Sequence, residues 1–206
     1  MKKYIFIILI FSFITMQSQT SIKTKPVDYT LLKMQLETIR VEDQTLRQLL
    51  PEAEVKFGMD SEELRYVWKL IHYQDSINEK KVLAIIDTYG WLSKNNVGEM
   101  ANQTLWLVVQ HAEIETQEKY LPYLETSVAN NESDGWYLAF LKDRILMRRG
   151  EKQWYGTQVK KDKKLGFTYI YPIANFKKVN ERRKAIGLNS IEEYAKTHNY
   201  ALHKEL

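Results

Sequence analysis

Asp43 is a carboxylate set on an apolar seam. Leu32, Leu36, Ile39, Asp43, Leu46 and Leu50 follow one another at steps of four and three, the stripe an amphipathic helix turns toward its core. A buried carboxylate without a partner costs several kcal/mol, and Arg47, one turn on, is a ready counter-ion. The same violation recurs further along the chain. Asp143 shares a helical face with Trp136, Ala139 and Met147, and Arg144 falls beside Tyr137 and Phe140. Gln110 and His111 close the apolar run 104–109 and belong at the edge of a core. Asp75 repeats the theme more weakly, one step beyond Trp68 and Ile71. Such intruders are tolerated when they meet. The expected arrangement is one polar cluster in which Asp43 and Asp143 pair with Arg47, Arg144 or His111.

Three kinds of work suit such a cluster. A histidine oriented by an aspartate is a general base, and an arginine beside it can hold an anion or oxyanion, so His111 and Asp143 are the candidate catalytic pair of a hydrolase. Against that reading, the chain has no Gly-x-Ser-x-Gly, no cysteine and no His-Glu-x-x-His. Glu99, Glu113 and Glu115 could supply the acid of a cell-wall lytic enzyme, but no local motif of that group surrounds them. His111 and Glu115 at i,i+4 are two ligands at most, so neither a metal nor another cofactor is expected.

The second reading, a site for a small polar ligand or a peptide, is preferred because the nucleophile is missing. Its contacts would be Asp43, Arg47, Gln110, Arg144, Gln153, Tyr155, Thr157 and Gln158. As an extended strand, 153–158 would face Gln153, Tyr155 and Thr157 one way and Trp154 and Gln158 the other. Gly156 between them would let a ligand or a second backbone come close. The third reading makes the cluster a scaffold that fixes helix register.

Periodicity lays out the elements that must position these residues. Helices are predicted over 28–50, stopped by Pro51, and from Asp60, where Glu63 completes a capping box and Leu64, Trp68 and Ile71 face inward. Others are predicted over 78–89, 101–112, 117–130 with Pro122 in an early turn, and 136–149 closed by Gly150. Trp91, Trp106 and Trp136 read as core. The period then shortens, and 153–159 and 167–173 read as a β-hairpin, followed by short helices near 179–186 and 190–197. The class is mainly α, a multi-helix orthogonal or bundle-like domain with a small C-terminal β-hairpin.

The beginning of the chain reads as a secretory signal over 1–20. Lys2 and Lys3 precede an apolar run from Tyr4 to Met16, and Gln17, Ser18, Gln19 and Thr20 follow. That run is shorter than the roughly 20 residues that span a bilayer. The expected product is one exported domain over 21–206, periplasmic or secreted, without stable membrane insertion. Removing the two signal lysines leaves 28 basic residues of 30 against 26 acidic ones, too even a balance to imply nucleic acid. Basic runs at Lys160, Lys161, Lys163 and Lys164, and at Lys177, Lys178, Arg182, Arg183 and Lys184, read as solvated surface. With no cysteine, disulfides, thiol chemistry and lipid attachment at a cleaved signal's cysteine are excluded.

Several short stretches form a recognisable set. They are Asp43-Gln44 with Arg47, Gly90-Trp91, Gln110-His111-Ala112, Asp143-Arg144, Gln153-x-Tyr155-Gly156-Thr157-Gln158, and Arg182-Arg183 with Gly187-Leu188. Over roughly residues 30–195 the chain thereby resembles a bacterial family catalogued as domain of unknown function 6624. Leu92 and Glu113 depart from the proline and aspartate common at those places in the family, so the acid after His111 carries little weight. The resemblance implies no activity. It adds Gln44 and Arg183 to the candidate ligand contacts and makes the residues selected by burial the family's landmarks as well.

Overall fold

In the computed structural model, which describes residues 26–162 and 166–202, the chain is mainly α with a small sheet near its C-terminal end. The signal segment, Lys163 and Lys164 lie outside the described residues. Helix α1 (Tyr29–Arg47) opens where the Asp28 carboxylate accepts from the Leu31 amide at 3.0 Å, and it buries Leu32, Leu36, Ile39 and Asp43. It ends before Pro51. That proline sits in the first turn of α2 (Leu50–Phe57), where its missing N–H has no helical partner to lose.

The two helices predicted from Asp60 to Tyr89 are one, α3 (Glu62–Tyr89), 28 residues long. Its cap is Ser61, whose hydroxyl accepts from the Leu64 amide, and not Asp60. Asn78, read as a start, is a fully buried residue in mid-helix whose amide oxygen accepts from Gln74 at 3.0 Å. Trp68 lies on the outer face instead of the inner one, 38% exposed.

After the single turn α4 (Lys94–Val97), α5 (Glu99–His111) runs through the middle and packs on α1, α3, α6 (Ile114–Ala129) and α7 (Gly135–Arg148). A helix apolar almost all round has to be covered this way. Leu36, Val82, Ile86, Leu105, Leu124 and Leu141 form the centre of the core, each worth about 1.5–3 kcal/mol of burial. Trp91 and Trp106 join it, while Trp136 is only half-buried. Because α6 begins at Ile114, Pro122 falls inside the helix and not in an early turn.

The C-terminal lobe is a three-stranded sheet with two short helices. Strands β1 (Val159–Lys161) and β2 (Thr168–Ile170) pair antiparallel with Val159 opposite Ile170. An unforeseen third strand, β3 (Ala201–Leu202), runs parallel to β2. Between them lie α8 (Val179–Ala185) and α9 (Ile191–His198), and Ile170, Ile173, Val179, Ile191 and Ala195 form a separate small core. Among the described residues no helix is long and apolar enough to cross a membrane.

Candidate functional site

Asp143 organises the junction between helical body and lobe. It sits on α7 with no exposed surface, and its carboxylate is fully used by the segment 153–158. The Trp154 and Tyr155 amides donate to Oδ1 at 2.7 and 2.9 Å, and the Thr157 amide and hydroxyl both donate to Oδ2 at 2.9 Å. Burial pushes this carboxyl upward in pKa while those donors pull it back. Four donors aimed at one anion require a curled backbone. The segment is therefore an irregular loop and not the predicted strand.

Gly156 makes the curl possible, with φ of +81° and no room for a Cβ, which would lie 2.6 Å from Ile191 Cδ1. Gln153 clasps the loop from inside. Its amide oxygen accepts from the Gln158 amide at 2.8 Å, and its Nε2 donates to the carbonyls of Gln158 and Tyr171. Gln153 and Tyr155 are buried, so neither faces a ligand as the strand reading had it.

Arg183 locks the outer side. Its Nη1 donates to the Tyr155 carbonyl at 2.8 Å, its Nε to the Asn189 carbonyl at 2.7 Å, and the Tyr194 ring lies 4.9 Å away. At 1% exposure it braces the loop, and it also lines the neighbouring cleft.

A cleft of about 770 Å³ opens between α7 and the lobe. Thr157 and Gln158 reach it from the loop, Arg144 and Phe140 from α7, and Asn189 and Tyr194 from the lobe. The Gln158 Nε2 donates only weakly, at 3.4 Å to the Phe140 carbonyl and 3.3 Å to the Thr157 hydroxyl. Gln110, with its amide oxygen turned toward α7, accepts from Arg144 Nε and, at 3.2 Å, from Nη2. Burial and the neighbouring Arg148 lower the Arg144 pKa, and no carboxylate pairs with it among the described residues.

Asp43 and His111 belong to a second cluster, at the junction of α1, α3 and α5. His111 Nδ1 lies 3.0 Å from Asp43 Oδ2, and Gln44 Nε2 donates to Asp43 Oδ1 at 2.6 Å. Arg47 pairs with Asp43 as expected, 3.4 Å from its carboxylate and donating to its main-chain carbonyl at 2.9 Å, but it grips Asp75 more closely, with two hydrogen bonds of 2.8 Å. Burial opposes the Asp43 charge; hydrogen bonds and charges from His111, Gln44 and Arg47 outweigh it, so the carboxyl is held below its ordinary range. Asp43, Asp75 and His111 offer ligand atoms within 4.8 Å of one another, but the Arg47 guanidinium already supplies the positive charge between the two aspartates.

The expected single cluster is thus two. Asp143 holds a loop, and the aspartate beside His111 is Asp43. Asp75, only weakly marked in the sequence, proves to be Arg47's main partner. Asn189 and Tyr194 were missed as cleft residues: they lie far along the chain from α7, and no periodic pattern sets them apart from ordinary surface.

None of the curated proteins and none of the solved structures compared with the chain matches it. One family model does, over residues 30–204, which takes in α1 through β3 and both polar clusters. The chain belongs to that family, DUF6624, a family of unknown function.

Proposed function

We propose that this is an exported domain that binds a small polar ligand in the cleft between α7 and the C-terminal lobe. The observation that carries the reading is Arg144, a half-buried guanidinium in the cleft wall with a neutral glutamine as its partner. Desolvating a cation without an acid is costly, and proteins retain such a group where it serves. Around it the wall is braced in advance: Asp143 and Gln153 hold Thr157 and Gln158 in place from outside the cleft, and Arg183, itself in the lining, is tied to the loop through the Tyr155 carbonyl. A volume of 770 Å³ suits a small molecule. Export rests on the Lys2-Lys3 start and apolar run, and mass spectrometry should find a mature N-terminus between about Gln17 and Ser21.

The test is an amide NMR screen of small polar compounds against the protein and its Gln158→Ala variant. Binders should shift Gln158, Asn189 and Tyr194 and lose that effect in the variant, with stability changed by less than about 1 kcal/mol. A screen whose hits perturb only the α1–α5 junction would refute the cleft as the site.

A second reading has its own observation. An Asp43 carboxylate that accepts the Nδ1 proton leaves His111 Nε2 as an aimed acceptor, and the side chain keeps 23% exposure. That suits a general base for water in a hydrolase. Turnover of an ester or phosphoester probe that vanishes in His111→Ala and survives in Arg144→Met would favour this second reading over the first.

A further inference from the structure

We infer that the group anchored in the cleft is a carboxylate, carried by a ligand with an apolar body; this rests on the binding reading above. Charge sets the class. Among the described residues Arg183 is also without a salt bridge, but Asp143 lies close enough to act on its charge, and its donors go to Asn189 and Tyr155. Arg144 has no such acid among the described residues: the charge acting on it is the like charge of Arg148. Arg144 is therefore the guanidinium of this wall on which no acid acts, and one such cation matches a singly charged anion better than a doubly charged phosphate.

Geometry sets the same class. A guanidinium has five N–H donors. Gln110 engages Arg144 through Nε and Nη2, which leaves both Nη1 hydrogens and the second Nη2 hydrogen. Adjacent Nη1 and Nη2 donors form the fork that two carboxylate oxygens fit side by side. The rest of the lining joins an apolar and aromatic surface, which includes Trp136, Phe140, Met147 and Leu188, to polar groups such as Gln158, Asn189 and His198. An acid with a hydrocarbon or aromatic body satisfies both surfaces. Such a carboxylate can belong to a free small acid or to the C-terminus of a short peptide.

NMR titration of the full domain with 3-phenylpropionate, its amide and phenylphosphonate tests the class. N-acetylated tripeptides ending in phenylalanine, as free acid and as amide, separate the two sources. The acid should bind about tenfold or more tightly than its amide, a preference that Arg144→Gln abolishes and Arg144→Lys partly restores. Tighter binding of the free-acid tripeptide than of 3-phenylpropionate would assign the peptide source, and the reverse order the small acid. Equal binding of acid and amide, or preference for the phosphonate, overturns the carboxylate and leaves the cleft a ligand site. If no acid shifts the cleft while neutral polar compounds do, the carboxylate falls alone. If neither set does, both readings fall together.

Discussion

Asp43 was legible as an anomaly because a carboxylate breaks a leucine seam at a position that the helical period makes unmistakable. Two of the partners named for it, Arg47 and His111, do meet it, but how they divide was not legible. Arg47, the local choice, stands 3.4 Å from the carboxylate, yet its two side-chain hydrogen bonds go to Asp75 on α3, and the closer contact to Asp43 is His111, 68 residues away. The energetic consequence follows from that division of partners. Asp43→Leu strands no cation, because Arg47 keeps two bonds to Asp75. The expected cost is about 1–3 kcal/mol, the loss of an acceptor by His111 and Gln44, and not the 3–5 kcal/mol of an orphaned buried ion. In thermal melts the Asp43–His111 double-mutant cycle should show the larger coupling and the Asp43–Arg47 cycle the smaller. Acid adds a second check. A carboxyl held below its ordinary pKa contributes stability that is present above the unfolded value and is lost as pH falls through the folded one. Asp143, raised by burial, works in the opposite sense, so only the difference between variants isolates Asp43. Asp43→Asn should lose less stability than the parent below about pH 4.

At the scale of elements, helices were read well where a seam was continuous and badly where one polar residue stood for a break. Asn78 looks like a helix start, but in a sealed interior its amide bonds within α3 and the helix runs on. The loop 153–158 was misread for a related reason. Its Tyr, Thr and Gln residues alternate as a strand would, while the force that curls them is the carboxylate of Asp143, on another element. Side-chain alternation carries no record of where backbone N–H groups will find an acceptor. The loop should therefore depend on Asp143 more than on its own sequence. Asp143→Ala leaves three backbone amides and the Thr157 hydroxyl without their acceptor and should cost about 3–5 kcal/mol in denaturant melts. Gly156→Ala should also destabilise, by about 1–3 kcal/mol, since a Cβ there meets Ile191 and Ile173 at 2.6 and 2.7 Å and the backbone has positive φ. A Gly156→Ala variant as stable as the parent would show that the curl is held less tightly than this geometry requires.

The whole molecule has two cores of unequal size. Twenty buried apolar residues form the helical cluster and five form that of the C-terminal lobe, among the described residues. Even with the five half-buried side chains packed on them, such as Phe176 and Tyr200, so small a core does little against the ordering of the lobe's backbone, so the lobe is expected to borrow stability from the body. Several connections are identifiable. The Asp143 carboxylate binds the loop, the Thr157 hydroxyl also lies 3.3 Å from the Ala139 carbonyl, and the Ile186 carbonyl sits so near Gly135 that a Cβ there would be 2.0 Å from its oxygen. A structure joined in this way opens from the small side first. Amides of α8 and α9 should exchange with solvent faster than those of α1, α3 and α5, and Asp143→Ala should widen the difference by speeding exchange in the lobe alone. A ligand that bridges Arg144 on α7 and Asn189 in the lobe would tie the halves together and slow lobe exchange in proportion to its occupancy. Uniform exchange across both cores would show that the molecule opens as one unit. The cleft would then be a fixed groove, and binding in it would not protect the lobe selectively.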